Sequence, residues 1–199
     1  MELSEALRRR RMVRNYTAEP VAPEVLGRVL DAARRAPSAG NTQAVDLVVL
    51  EGPAETGRYW AATLPPERRP TFRWPGLLAA PVLIIPCVSP LAYVERYAEP
   101  DKARPGLGDD PDGWTVPYWH IDGGMAVMAL LLAAVDEGLG ALLFGQFDNE
   151  PAVRRAFAIP DHLCVLGTIA LGHPAPDEPG RSASRLRRSL DDIVHRGTW

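Results

Sequence analysis

Four short apolar runs along the chain have the length and composition of β-strands. The first, VDLVVLE, is almost continuously apolar, which is typical of a strand buried on both faces. The second, PVLIIPCV, contains Pro86, and because proline has no N–H to donate, this residue indicates an edge strand or a strand end. The pattern predicts one sheet of four or more strands, at residues 45–51, 81–88, 141–147 and 163–172.

Between these runs, apolar residues recur at the spacing of a helix face. They do so in PEVLGRVLDAARRA, where Pro23 suits the first position of a helix. Ser4 is a candidate N-cap for a short N-terminal helix in SEALRRRR. Another short helix is predicted over residues 151–158, whereas residues 52–80, rich in proline and aromatic residues, are expected to be irregular.

The most apolar stretch, GGMAVMALLLAAV at residues 123–135, is predicted to be a buried helix. Asp122 is its candidate N-cap, and Gly138 fits just beyond its end. The stretch is shorter than the roughly 20 residues that a bilayer-spanning helix needs. Because it is apolar nearly all round, it must be covered on every side, and in a chain this small the cover is expected to include a second subunit.

Residues 98–114, AEPDKARPGLGDDPDGW, form a long acidic segment. A connection longer than about 12 residues is more often a lid or a binding loop than a plain connector. Helices and strands otherwise alternate without an internal repeat. We therefore predict a single domain of α+β or α/β class over residues 1–199, with a lid-like loop at 98–114 and a basic tail at 174–199.

The composition and charge of the chain exclude several classes of function, although they say little about its fold. The 199 residues are 46% hydrophobic and 24% charged, as in ordinary globular domains, and the formal net charge of −3 argues against nucleic acid as a partner. Cys87 and Cys164 stand far apart without a ligand motif, so no metal is predicted and a reducing compartment is expected. Neither a signal peptide nor a membrane span is recognised, which predicts a soluble, cytoplasmic protein.

The sequence contains no motif for nucleophilic or metal-dependent catalysis. Ser38 lacks a GxSxG context, the four histidines lie outside such motifs, and neither HExxH nor GxGxxG occurs. What remains is arginine, with five between Arg8 and Arg14 and four between Arg181 and Arg188. These runs are compatible with solvated faces, with a nucleic-acid patch or, if the fold brings them together, with a bidentate phosphate site.

Four stretches, in order along the chain, resemble the FMN-dependent nitroreductase family of NAD(P)H-dependent flavin oxidoreductases. They are RRRMVRNY (9–16), APSAGNTQ (36–43), the segment 122–160 and RLRRSLDDIVHRGTW (185–199). The resemblance implies an α+β fold with a central mixed β-sheet flanked by helices, in an intertwined homodimer that exchanges its C-terminal tail. It also implies FMN at the subunit interface, NADH or NADPH as hydride donor, and a nitroaromatic, quinone or similar acceptor in a ping-pong cycle.

The resemblance assigns cofactor contacts by position and no catalytic side chain, because the flavin carries the redox chemistry. Arg10 would face the phosphate and Arg14 the pyrimidine end of the ring. Met12 stands where the family commonly has Ser, so one hydroxyl contact is lost. The implied FMN-binding set is Arg10, Arg11, Met12, Arg14, Pro37, Ser38, Ala39, Asn41, Gln43, Leu143, Gly145, Gln146, Arg185 and Arg187.

Three parts of this set have different implied roles. Arg185 and Arg187, in the tail, complete the phosphate site. The loop 37–43 reaches the flavin from the partner subunit. The turn 143–146 lies against the isoalloxazine ring, where a backbone N–H meets flavin N5.

The aromatic residues before the apolar helix are candidates for contacting the acceptor. Packing inside the protein or at a dimer interface explains each of them equally well, so both interpretations stay open. The segment 98–114 also leaves a second function open, a protein that binds or sequesters flavin, or senses redox state, without turnover. The candidate acceptor-stacking residues are Phe72, Trp114, Tyr118 and Trp119.

Overall fold

The computed structural model describes residues 1–102, 106–176, 178, 180 and 184–199. The helices of this part are α1 (Leu3–Arg9), α2 (Pro23–Arg34), α3 (Gly52–Thr63), α4 (Pro90–Ala98), α5 (Tyr118–Asp136) and α6 (Glu150–Phe157). The strands are β1 (Val45–Glu51), β2 (Val82–Val88), β3 (Gly140–Phe144), β4 (Cys164–Val165) and β5 (Thr168–Gly172). Short 3₁₀ turns lie at Ala39–Asn41, Pro66–Thr71, Pro75–Ala79, Pro111–Gly113 and Phe147–Asn149.

The five strands form one sheet in the order β1-β2-β5-β3, and β4 also pairs with β2. All four strand pairs are antiparallel. The named strands therefore form an antiparallel sheet. The parallel pairing expected of a mixed sheet is limited to an isolated bridge between Met12 and Ala141. Helix α5 packs against α2, β2 and β3, and α3 packs against β1 and α6. The predicted α+β class is confirmed.

Strand β2 is central, so the edge strand, the first alternative inferred from Pro86, is wrong, whereas the second, a nearby strand end, is confirmed because β2 ends at Val88. On one side β2 pairs with β1 over its whole length. On the other side β5 pairs with residues 82–84 and β4 with residues 87–88. Pro86 lies in the gap between them, and its carbonyl accepts a hydrogen bond from Leu166 N–H across 3.0 Å. Proline is tolerated here because its missing N–H falls where the ladder is already interrupted.

Two other strand predictions change in detail. Strand β1 lies at the edge of the sheet, and Leu50 is its one buried residue. The predicted burial of this strand on both faces therefore does not occur within one chain. The run at 163–172 is two strands, separated by Leu166 and Gly167. Gly167 has φ 125°, a conformation that glycine adopts without a steric penalty.

The stretch 52–80 is more regular than predicted. Helix α3 starts at Gly52 and buries Tyr59 and Trp60 against the sheet, so its inner face is aromatic. The prolines that suggested irregular structure lie after its end, at residues 65–75. Their rigid backbone shapes two 3₁₀ turns and leaves α3 itself intact.

Helix α5 is the core helix. It starts at Tyr118, so Asp122 lies inside it and is not its N-cap, whereas Gly138 follows its end with φ 73°, as predicted. The helix is long and apolar enough to cross a membrane by length and composition, but 50% of its apolar window is buried inside the protein. Its packing against α2 and two strands is that of a core helix in a folded domain.

The two ends of the chain differ in how they are held. Helix α1 begins at Leu3 with Glu2 as its cap residue, so the predicted Ser4 cap is wrong. Residues 184–199 are exposed in the single chain. The tail nevertheless carries large apolar side chains, of which Leu186 is 91% exposed and Trp199 is 101% exposed.

Gly123 marks a close approach between α5 and the sheet. A Cβ at this position would stand 2.4 Å from Leu166 Cδ1 and 2.9 Å from Val88 Cγ1. We expect Gly123→Ala to lower the free energy of unfolding by about 1–3 kcal/mol through overpacking, measured by urea denaturation. Gly57→Ala in α3 is the control, because nothing lies within 4 Å of the added Cβ, and it should raise stability by about 0.5–1 kcal/mol. An equal gain in both variants would contradict the close packing.

Candidate functional site

The two arginine runs meet at one open cavity of about 1210 Å³, the arginine cavity. Backbone hydrogen bonds hold the segments that carry them together, from Thr17 N–H to the His173 carbonyl (3.0 Å) and from Ala175 N–H to the Asn15 carbonyl (2.9 Å). Arg181 lies outside the described residues. The arginine cavity is lined by Leu7, Arg8, Arg10, Arg11, Met12, Val13, Arg14, Pro174, Ala175, Glu178, Gly180, Arg185 and Arg187.

Arg10 lines this cavity and carries an unpaired donor. Its Nη1 is buried and has no hydrogen-bond partner in the described part of the chain. Burying an N–H without an acceptor is destabilising, whereas a guanidinium matches the oxygens of a phosphate in number and geometry. The donor set therefore fits a phosphate group, with the tail residues Arg185 and Arg187 lining the same cavity.

The neighbours of Arg10 make different contacts. Arg14 Nη1 donates to the Met12 carbonyl at 2.9 Å, and its guanidinium stacks over the Trp74 ring, 5.1 Å from the centroid. Arg11 donates to the Arg8 carbonyl at 2.6 Å, which ties it to the end of α1. The Met12 side chain packs against the apolar core and supplies no hydroxyl to the cavity.

Arg14 also lines a second cavity of about 310 Å³, the aromatic cavity. For comparison, an apolar cavity of about 150 Å³ accommodates benzene, so this space has room for a flat ring system. Five aromatic rings, one of them on β3, and the residues that follow β3 form its walls. Its lining is Arg14, Tyr59, Trp60, Thr63, Leu64, Phe72, Trp74, Leu77, Leu142, Leu143, Phe144, Gly145, Gln146 and Asn149.

A buried polar network fixes the turn after β3. Gln146 Nε2 donates to Thr168 Oγ1 at 2.8 Å, and Thr168 Oγ1 shares a second hydrogen bond with the Tyr59 hydroxyl at 2.8 Å. Gln146 Oε1 and Trp60 Nε1 have no partner among the described residues. The wall of the aromatic cavity thus combines apolar rings with a rigidly held amide.

The Tyr59 hydroxyl makes stability depend on pH. Burial raises the pKa of Tyr59 to about 12, and the Thr168 hydrogen bond opposes the shift in part. Above the ordinary pKa of 10.0, the unfolded chain releases this proton while the folded chain keeps it, so stability falls as the pH rises. We expect a loss of about 2–3 kcal/mol by about pH 12, seen as a slope in urea-unfolding free energies that Tyr59→Phe removes. A slope that the variant leaves unchanged would assign it to other groups.

The loop predicted to contact the flavin lies elsewhere in the single chain. Pro37, Ser38 and Gln43 line a third cavity of about 250 Å³ between α2 and α5, the loop cavity. No residue that lines it also lines the arginine or the aromatic cavity. Ala39 and Asn41 form the 3₁₀ turn within the loop. One chain alone therefore does not bring this loop to the arginines.

The structure separates the four aromatic candidates. Phe72 lines the aromatic cavity, whereas Trp114, Tyr118 and Trp119 line none of the three cavities. The rings of Trp114 and Trp119 are buried against Tyr93, at centroid distances of 5.7 and 6.0 Å. Trp114 Nε1 also donates to the Leu107 carbonyl at 3.0 Å. Within one chain these two tryptophans are packing residues, and Tyr118 is 42% exposed.

Trp60 and Trp74 line the aromatic cavity, although neither was predicted to be a site residue. Both lie in the stretch expected to be irregular. A signal was present for α3, because Thr56, Tyr59 and Trp60 recur at helical spacing on what is now its buried face.

Comparison with known proteins identifies the family of this chain. A family model described as the nitroreductase family matches residues 7–173. An NADH dehydrogenase/NAD(P)H nitroreductase, so named, of Methanothermobacter thermautotrophicus is 30% identical over 203 residues, covering 100% of this chain and 88% of its own length. The FMN reductase (NAD(P)H) of Bacillus subtilis is 26% identical over 100% of this chain and 74% of its own. A structure described as a Desulfovibrio desulfuricans nitroreductase in complex with FMN superposes with a TM-score of 0.69 at 26% identity, over 100% of this chain and 98% of its own.

Proposed function

This chain belongs to the nitroreductase family, and we propose that it is an FMN-dependent oxidoreductase that passes hydride from NADH or NADPH to a small-molecule acceptor. The observation that carries the proposal is the convergence of both arginine runs on one cavity, with a buried and unpaired N–H on Arg10. The relatives named for FMN and NAD(P)H support the choice of cofactor and donor.

The residues of this chain would bind and orient the cofactor. Arg10, Arg185 and Arg187 would hold the phosphate by charge-assisted hydrogen bonds. Arg14, at the border of the two cavities, would place a positive charge beside the ring and stabilise negative charge that develops there. When bound, FMN supplies the hydride chemistry, which requires no acid, base or nucleophile from the chain.

The aromatic cavity supports a planar acceptor as substrate. The turn Leu143–Gln146 would form the wall for the flavin ring, and a backbone N–H of this turn would orient it. Phe72 would supply a ring against which a nitroaromatic or quinone can stack. Trp60, stacked on Phe144, and Trp74, covered by the Arg14 and Arg73 guanidinium groups, would form the surrounding wall. Donor and acceptor would use the same space in turn, which is the basis of the proposed ping-pong cycle.

A homodimer would complete the site. Loop 37–43 is remote from the arginines within one chain, so its proposed contact with FMN requires a second subunit. The exposed apolar side chains of the tail 174–199 support its exchange onto the second subunit beyond Arg187, so that Arg185 and Arg187 stay at the arginine cavity of their own chain. The exposed Tyr118, Ile121 and Met125 side chains of α5 would be covered in the same assembly. We place this single-domain protein in the cytoplasm.

The alternative of a flavin-sequestering protein without turnover receives less support. It requires the segment 98–114 to close the open face of the flavin. The described residues of that segment line none of the three cavities, and Trp114 at its end packs against Tyr93. In the single chain the aromatic cavity is therefore accessible without a movement of this segment.

The first test is the visible absorption spectrum of the purified protein, with identification of any chromophore released by denaturation. We expect oxidised flavin bands and free FMN. Initial rates of NADH and NADPH oxidation with a quinone or a nitroaromatic acceptor then test the reaction, and parallel double-reciprocal lines are expected for ping-pong kinetics. A protein that stays colourless with excess FMN would overturn the cofactor proposal, and flavin that neither nucleotide reduces would overturn the reaction.

A further inference from the structure

The loop 38–43 has an unusually constrained backbone. Gly40, Asn41 and Gln43 have φ values of 63°, 55° and 54°, in the left-handed region that side chains other than glycine disfavour. Ser38 Oγ accepts a hydrogen bond from Gln43 N–H at 2.9 Å, which closes the loop on itself. Residues in such conformations persist only where their surroundings hold them, so the neighbouring contacts decide the shape of the loop.

The first of these contacts comes from α5. Asp122 Oδ2 accepts hydrogen bonds from Ala39 N–H at 2.8 Å and from the Tyr93 hydroxyl at 2.6 Å. Asp122 is 3% exposed and Tyr93 is fully buried, so water does not compete for these bonds. Burial and the bond to Asp122 raise the pKa of Tyr93, which keeps its hydroxyl protonated as the donor.

The second contact comes from α4. Arg96 Nε donates to the Gly40 carbonyl at 2.8 Å. The other two nitrogens of the same guanidinium bind both carboxylate oxygens of Asp101, at 2.7 and 2.8 Å, in the acidic segment after α4. The Tyr97 ring lies so close to Gly40 that an added Cβ would stand 2.9 Å from it. One side chain therefore links the loop to the acidic segment, and a neighbouring ring closes the remaining space.

We propose that Asp122, Tyr93 and Arg96 are positioning residues that hold loop 38–43 in the shape that completes the cofactor site of a second copy of this chain. Arg96 additionally couples this loop to the acidic segment through Asp101. The inference rests on the proposed function for the identity of the cofactor, but the loop geometry on which it depends belongs to the single chain.

The expected effect follows from the population of the binding-competent loop. Apparent affinity falls in proportion to the fraction of molecules with the correct loop conformation. Arg96→Met removes the bond to the Gly40 carbonyl and the link to Asp101 while keeping an unbranched chain. We expect FMN to dissociate with an apparent Kd about tenfold higher in this variant and in Tyr93→Phe.

Two measurements on the full-length protein test the proposal. Hydrogen–deuterium exchange of peptides spanning residues 36–46, without FMN, reports the loop, and FMN titration followed by flavin fluorescence reports the site. We expect exchange about tenfold faster at the loop in Arg96→Met and Tyr93→Phe. Asp122→Asn keeps an oxygen acceptor and should retain slow exchange and FMN affinity, whereas Asp122→Leu should lose both.

Arg28→Met is the control, because it breaks a bidentate ion pair with Glu137 of similar geometry away from the loop. If Arg96→Met and Tyr93→Phe match this control in exchange and in FMN affinity, the positioning role is wrong. Wild-type protein that binds no FMN but shows a protected loop that opens in Arg96→Met would overturn the proposed function and leave the loop mechanism standing. Faster exchange with unchanged FMN affinity would overturn the link to the cofactor.

Discussion

Replacing Arg10 with glutamine will weaken FMN binding by about 100-fold, because a charge-assisted contact to phosphate is lost. The same change will not destabilise the protein without FMN. Arg10 Nη1 is buried without a partner among the described residues, so its removal takes away an unsatisfied donor and breaks no bond made by that atom. FMN titration gives the affinity, and thermal unfolding with and without FMN gives the stability.

The adjacent Arg9 supplies the control for this experiment. Its guanidinium is exposed, pairs with Glu5 across 3.3 Å and lines none of the three cavities. Arg9→Gln should leave FMN affinity within about twofold of the wild type, because exposed ion pairs contribute little. Equal losses in the two variants would show that the arginine run acts through its total charge and that no individual residue binds the phosphate.

Truncating Ile84 to alanine will lower the free energy of unfolding by about 2–5 kcal/mol. Ile84 is fully buried on β2, where the strand pairs with β1 on one side and β5 on the other. The central sheet leaves the remaining side chains little room to close the void, so both the transfer energy and the packing around the cavity are lost. Urea denaturation of the protein without FMN measures the change.

Val116→Ala is the matched truncation outside the core, since Val116 is 44% exposed in the segment before α5. Its effect should stay within about 0.5 kcal/mol. A comparable loss at both positions would mean that the cooperative core does not run through β2 as the structure shows.

The local pattern of apolar and polar residues predicted the positions of most strands and helices, but it predicted their packing less well. Short apolar runs located β1, β2 and β3, and helical periodicity located α2, because each of these signals lies within a few consecutive residues. The edge strand suggested by Pro86 was wrong because the gap that tolerates this proline is made by β4 and β5, which are nearly eighty residues away in the chain. Helix α3 was missed because the prolines that follow it dominated the composition of the stretch.

The same distinction applies to the site. Two short sequence motifs, one near each end of the chain, were enough to propose Arg10, Arg14, Arg185 and Arg187 as cofactor ligands. The fold brings all four residues to one cavity. Asp122 looked like a helix cap because it precedes an apolar run. Its real partners, Ala39 and Tyr93, come from other elements, so only tertiary structure reveals them. The burial of Trp114 and Trp119 depends in the same way on α4 and is not encoded in their own segment.

The separation of the loop cavity from the arginine cavity has a genetic consequence in the proposed dimer. Each site would combine arginines from one subunit with a loop from the other. A subunit with Arg10→Gln and a subunit with a defective loop would therefore each form homodimers in which both sites bind FMN weakly. In a heterodimer of the two, the intact arginines of one would meet the intact loop of the other. Random pairing would restore full affinity at roughly one site in four, so two alleles that each weaken FMN binding would complement each other when expressed together.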